Sequence, residues 1–149
     1  MEMTKITRIQ ERQFLNFFPP KLNGNISEER KRRYMLVLEN NIDTNTIKLI
    51  NISKLSGKAK CLWYDYNIEM IDYDPLKKPS FAKLNTIYTI KEFEELNKYI
   101  SFGGEKLSEK EFNNIKVEMS NYYNKIKKKN IIEFTQKDFI ESNKELITK

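Results

Sequence analysis

Between Arg33 and Glu39 the chain is apolar on both faces of an extended strand: Tyr34, Leu36 and Leu38 alternate with Met35 and Val37. A strand with both faces filled must be covered on both, so it belongs inside a sheet. Asn40 to Asn45 is a run of turn residues,. Ile47 to Ser53 then reads as a second strand, with Ile50 and Ile52 on one face and Ile47 and Leu49 on the other. The centre of the molecule is therefore expected to be a buried hairpin.

The rest of the chain is arranged around it. Gln13 to Phe18 reads as a short strand, stopped by Pro19-Pro20 and followed by a polar loop to Arg30,. Further strands are expected around Lys60 to Tyr66 and from Ser80 to Ile90. Lys91 to Tyr99 reads as a short helix or turn. Ser108 with Glu111 has the spacing of a capping box,. It opens a helix whose apolar stripe is Phe112, Ile115, Met119, Tyr122, Tyr123 and Ile126, closed by Lys125 and Lys127 to Lys129 at its negative end,. A weakly apolar helix from Gln136 to Ile147, capped by Thr135, is expected to fray. Strands come first and helices after, which predicts an α+β fold: a small twisted antiparallel sheet or half-barrel with helices on one side. The length of 149 residues suits one domain, taken as 1–129, with 130–149 as a C-terminal extension,.

Composition narrows the chemistry. The chain has no histidine and one cysteine. That removes the usual imidazole base, Ser–His–Asp and Cys–His sites, an intrachain disulfide and a structural zinc site. Any catalysis must use Arg, Lys, Ser, Thr, Tyr or carboxylates. No metal or other cofactor is expected. The lone Cys61 suits a reducing cytoplasm and reads as a small buried apolar residue. Met1 to Gln13 is polar, without an apolar core, and no run of apolar residues is long enough to span a membrane, so neither a secretory signal nor a membrane partner is expected,.

The formal net charge is +6, which favours a polyanionic partner without choosing among them. The excess is local. From Arg30 to Lys60 stand eight basic residues (Arg30, Lys31, Arg32, Arg33, Lys48, Lys54, Lys58, Lys60) against Glu39 and Asp43, a balance equal to that of the whole chain. If the hairpin turns symmetrically about Asp43, Asn40 faces Thr46 and Arg33 faces Ser53. Opposed residues have Cβ atoms about 4.5–5.5 Å apart, so a guanidinium and a hydroxyl would share the open end, with Arg32, Lys31, Lys54 and Lys58 around them. Arg binds phosphate bidentately and stabilises charge developing on phosphorus. Ser can hydrogen-bond a phosphate oxygen or a ribose hydroxyl. RNA carries its own nucleophile, the 2′-OH, which DNA lacks. The same cluster would equally serve as a solubilising strand edge.

The residues Phe17-Phe18-Pro19-Pro20, then a polar loop, then Arg32-Arg33-Tyr34-Met35-Leu36-Val37-Leu38, resemble the opening of PemK/MazF toxins. Ile50-Asn51-Ile52-Ser53 resembles the following strand of that family, and Lys78-Pro79-Ser80-Phe81-Ala82-Lys83-Leu84-Asn85 a later one. Leu107-Ser108 and the helix after it resemble the C-terminal helix. The resemblance implies an SH3-like antiparallel barrel or sheet with C-terminal helices, and a metal-independent endoribonuclease toxin acting on single-stranded RNA. It assigns a catalytic pair to Arg33 and Ser53 and an assisting pair to Lys83 and Asn85. Asn85 cannot act as a carboxylate base, and Tyr34 stands where the family has Pro. Ser53-Lys54, the length and the missing Arg-Pro resemble the type III branch (ToxN, TenpN and CptN toxins), in which a small folded RNA is the antitoxin. In type II the antitoxin is an acidic protein. The type III branch implies a closed toxin–RNA assembly, and an oligomeric assembly is expected. Lys54 would assist, and Lys31, Arg32, Lys58 and Lys60 would bind RNA, while Tyr34 reads first as a buried aromatic and second as an RNA contact that stacks on a base.

Other residues have two readings. Trp63, with Tyr64 and Tyr66, reads first as core or subunit interface and second as a base-stacking platform. Asp65, Asp72 and Asp74 read as solvated loop residues, with a divalent-ion site as the alternative. Rival functions are a non-catalytic binding module on the same fold and a CcdB-like gyrase inhibitor.

Overall fold

The expected hairpin is the axis of the molecule. The computed structural model describes residues 9–19, 32–126 and 130–143. The polar loop from Lys21 to Arg30, with Pro20 and Lys31, lies outside them, as do Lys127 to Lys129 and residues 144–149. β2 (Arg33–Asn41) and β3 (Thr46–Lys54) run antiparallel, and β1 (Phe14–Phe17) pairs with the outer edge of β2. The other edge of β3 is shared: Ile52–Lys54 pair with β5 (Ser80–Lys83), and Thr46–Leu49 with β6 (Ile87–Lys91). β4 (Asn67–Glu69) adds to β5, and β7 (Ile131–Glu133) adds to β6 in parallel. The fold is α+β, one mainly antiparallel sheet with few helices. Among the described residues no helix is long and apolar enough to cross a membrane.

Alternation along the central strands divides two cores. Met35, Val37, Ile47 and Leu49 point to one side, against Leu96, Tyr99, Phe134 and Phe139. Leu36, Leu38, Ile50 and Ile52 point to the other, against Leu107, Phe112 and Ile115. Both faces of the hairpin are thus covered, as its sequence demanded. The helices are not confined to one side: α1 (Glu109–Lys125) covers one face and α2 (Gln136–Ser142) the other.

Several elements differ from the sequence reading. Lys60 to Tyr66 is not a strand; Ala59–Trp63 form a 3-10 helix and the strand starts at Asn67. Ser80 to Ile90 is two strands, because Leu84–Thr86 step the chain from one half of β3 to the other. Residues 130–143 are no loose extension. β7 completes the sheet, Phe134 and Phe139 lie in the core, and α2 begins with a full capping box between Thr135 and Asp138. At the far end of α2 the buried Asn143 donates to the Phe18 and Phe139 carbonyls and accepts from the Phe18 amide. It thereby ties α2 to the exit of β1.

The expected capping box at α1 is only half made. Ser108 Oγ accepts from the Glu111 amide at 3.2 Å. The Glu111 side chain, 3 % exposed, turns away and accepts from the Ile71 and Asp72 amides at 2.8 and 2.7 Å. A carboxylate holding two partly buried amides clamps the loop after β4 onto α1. Glu111→Ala leaves both donors without this acceptor and is expected to destabilise the fold by about 1–3 kcal/mol. Urea unfolding measures it, and an unchanged midpoint would show that the clamp carries no net stability.

Candidate active site

β2 opens with Arg33, whose backbone pairs with Phe17. Tyr34 lies across from Ile52 in β3. One step further out, Arg33 stands across from Ser53, as the hairpin arithmetic expects. The turn alone would not give this pairing. Asn41 faces Thr46 and Asn40 faces Ile47, one residue off the symmetric scheme. An irregularity between Val37 and Glu39 absorbs the extra residue, and from Val37↔Leu49 outward the register is the expected one,. The Asn41 side chain fixes the turn by accepting from the Asp43 and Thr44 amides.

The polar end of this face is built by alternation. On β3, Ile47 and Leu49 face the core, and Asn51 and Ser53 continue the same face outward. Both are buried, and Ser53 Oγ lies 3.3 Å from Asn51 Oδ1, to which it can donate. Ser53 pairs with Phe81 and Ile52 with Ala82, so by the same register Lys83 stands beside Asn51. On its other side Lys83 pairs with Asn67 of β4. Arg33, Asn51, Ser53 and Lys83 therefore share one face at one end of the sheet.

A cavity of about 330 Å³ opens here. Arg33, Ser53, Lys54 and Lys58 line it, with Arg32, Tyr34, Ile52 and Asn16. A neighbouring cavity of about 200 Å³ shares Tyr34, Ile52, Ser53 and Lys54 and adds Leu76, Lys78 and Ser80. The cations are held by local structure. Gly57, at φ +71, takes a left-handed turn that most side chains would resist, and the Lys58 amide closes it by donating to the Leu55 carbonyl,. Arg32 Nη2 donates to the Asn16 carbonyl at 3.0 Å.

Lys83 reports the electrostatics. Burial holds its ammonium below the usual lysine range, and the charges of Arg33 and Lys58 push in the same direction, against a smaller opposite effect of Cys61,. A lysine so placed gives up its proton more readily than one in water, and a phosphate between these cations would be strongly attracted. Tyr88, across from Leu49 in β6, feels Arg33 too: burial raises its pKa and the guanidinium opposes the rise.

The sequence-derived candidates separate into groups. Arg33, Ser53, Lys54, Lys58, Arg32 and Tyr34 line the cavity, and Lys83 joins them through the sheet. Tyr34 is half-buried, its ring stacked on Phe102 at 5.3 Å, so it packs against protein. Lys60 lies in the exposed 3-10 helix at Ala59–Trp63, and Asn85 in the link between β5 and β6, away from the cavity lining. Lys31 is outside the described residues. Asn51, Tyr88 and Lys78 were not singled out. Asn51 was visible as the point where the apolar face of β3 turns polar. Asp65, Asp72 and Asp74 do not gather: among the described residues no three His, Cys, Asp or Glu side chains are grouped to hold a metal. Comparison with models of known families and with characterised proteins gives no match. The chemistry of the cleft has to carry the reading.

Proposed function

We propose that the protein is an endoribonuclease that cleaves single-stranded RNA by transesterification. The observation that carries the proposal is the convergence of Arg33, Ser53, Lys54 and Lys58 at one polar cleft, with Lys83 on the adjoining strand near enough to feel the charges of Arg33 and Lys58. The RNA supplies the nucleophile. Its 2′-oxygen attacks the adjacent phosphorus and loses its proton, the bond from phosphorus to the 5′-oxygen breaks, and the leaving oxygen takes up a proton. The products are a 2′,3′-cyclic phosphate and a 5′-OH end. Arg33 stabilises the charge that develops on the phosphate oxygens. Ser53 donates to Asn51 and can in that state accept from the 2′-OH, or it turns its proton from Asn51 to a phosphate oxygen,. Lys83 is suited to hold or move the proton, since burial and the charges of Arg33 and Lys58 make it release one more readily than a free lysine,. Lys54, Lys58 and Arg32 hold flanking phosphates.

The resemblance to PemK/MazF toxins supports the same reading. On it the sheet is an SH3-like partly open barrel, and the protein is the toxin of a toxin–antitoxin pair working in the cytoplasm. The type III branch is favoured, with a small folded RNA as antitoxin in an oligomeric assembly. An acidic protein antitoxin is the next reading. The basic cleft would accept either.

Purified protein and a long single-stranded RNA, incubated in EDTA, should give discrete fragments with 5′-OH ends. Ser53→Ala should give none at the same enzyme concentration. Loss of cleavage in EDTA would replace this mechanism with a metal-dependent one. Intact RNA after incubation with folded wild-type protein would leave a binding module, and gyrase inhibition would be tested next.

A further inference from the structure

Of the aromatic cluster expected to be core or subunit interface, Trp63 and Tyr64 are turned outward and so are not core. Trp63 is 81 % exposed and Tyr64 57 % exposed. They stand at the end of the 3-10 helix Ala59–Trp63, whose turn is held at the Cys61 carbonyl. The Tyr64 amide donates to the Cys61 carbonyl, and the Asn67 side chain donates to the same carbonyl at 2.9 Å. Tyr64 stacks on Tyr66 at 5.2 Å and 25°, and Tyr66 meets the edge of Tyr122 in α1. The result is an exposed aromatic segment in which the Tyr64–Tyr66 pair rests on a helix and Trp63, beside it in the chain, stands in solvent.

Its position gives it a use. Lys58, the residue that precedes the 3-10 helix, lines the cleft beside Ser53. Asn67, which ties down the helix, pairs with Lys83. The aromatic surface and the cleft are therefore joined through one short segment that also carries Lys60. Asp65 is the acid within it. Flat exposed rings beside lysines suit a single strand, whose bases stack on aromatic faces while its phosphates follow cations.

We propose that Trp63 and Tyr64 form a base-stacking subsite for unpaired nucleotides that flank the phosphate held in the cleft. The inference rests on the reading of that cleft as an RNA site. Every base has a π-face, so the subsite would add affinity with little sequence preference. It selects unpaired over duplex RNA, in which the faces are already stacked on one another.

Trp63 is the chain's single tryptophan, so its fluorescence reports this surface alone. The full chain carrying Ser53→Ala, which keeps the RNA intact, is titrated with a short single-stranded oligoadenylate and with an abasic oligomer of equal length. Fluorescence anisotropy of labelled oligomers gives the binding constants. Trp63 emission should change with oligoadenylate and not with the abasic chain. Adding Trp63→Ala should weaken oligoadenylate binding roughly tenfold, about one stacked base, and leave the abasic chain unaffected. Oligoadenylate binding with unchanged emission and no effect of Trp63→Ala overturns the subsite and leaves the cleavage reading standing. An emission change with no cleavage by wild-type protein removes the cleavage and keeps the subsite. No binding of either oligomer removes both. An emission change on dilution without RNA assigns the surface to contact between copies of the chain and overturns the proposal.

Discussion

Arg33→Ala is expected to lower RNA cleavage by at least about two to three orders of magnitude, the scale of losing one pre-organised donor to a charged transition state, while the protein stays folded. The second half of that expectation follows from geometry. Arg33 joins the sheet through its backbone, which pairs with Phe17, and its side chain is only half-buried at the polar end. Truncation relieves a crowd of like charges. Lys83 should respond, since Arg33 is one of the charges that depress it. Without the guanidinium its pKa moves back up, so any residual cleavage that uses the neutral amine would need higher pH. Arg33→Lys keeps the charge but loses the planar fork that grips two phosphate oxygens, and should fall between wild type and alanine. Circular dichroism and urea unfolding establish the fold, and fragment formation under single-turnover conditions gives the rate. Wild-type cleavage by a folded Arg33→Ala protein would remove the mechanism.

The meeting of Arg33 and Ser53 was legible because the hairpin is specified twice over. Its two faces are apolar on strict alternation, so a slip of one residue would turn the core to the wrong side. The symmetric turn about Asp43 was itself inaccurate, and the irregularity near Leu38 corrected it. The outer register was therefore reached for a partly wrong reason. Lys83 could not be placed by such arithmetic, because the link from Tyr66 to Ser80 gives no register; resemblance alone suggested it. The segment from Lys60 to Tyr66 misled because its rings look like strand residues. Tertiary contacts, including the Asn67 side chain on the Cys61 carbonyl, hold it as a 3-10 turn with two rings in water. β7 is three residues long and pairs in parallel with β6. Nothing so short carries a period, and its partner is remote in sequence.

The end of the chain supplies the second large effect. Phe139→Ala is expected to destabilise the protein by about 3–5 kcal/mol, a large share of the roughly 5–15 kcal/mol of an ordinary domain. From sequence, α2 reads as short, weakly apolar and prone to fray. Phe139 is its main apolar anchor, beside the Asn143 tie to Phe18: it is fully buried and its ring meets four others, Phe17, Phe93, Tyr99 and Phe134, with centroids 4.9 to 6.3 Å away. Edge-to-face and stacked pairs add to the area buried, and an alanine would leave a ring-sized void between β1, the Glu94–Tyr99 turn and α2. The neighbouring Ile140 is 37 % exposed, so Ile140→Ala should change stability by no more than about 0.5 kcal/mol. Urea unfolding of the two variants separates docking from helix propensity, which is lost to neither alanine. A fall in midpoint for Phe139→Ala with an unchanged slope means that α2 unfolds with the sheet as one unit. Equal small effects for both variants would mean that α2 contributes little. The outcome bears on the cleft, because Phe17 touches Phe139 through its ring and pairs with Arg33 through its backbone. The last helix thus braces the strand end from which the guanidinium reaches into the cavity.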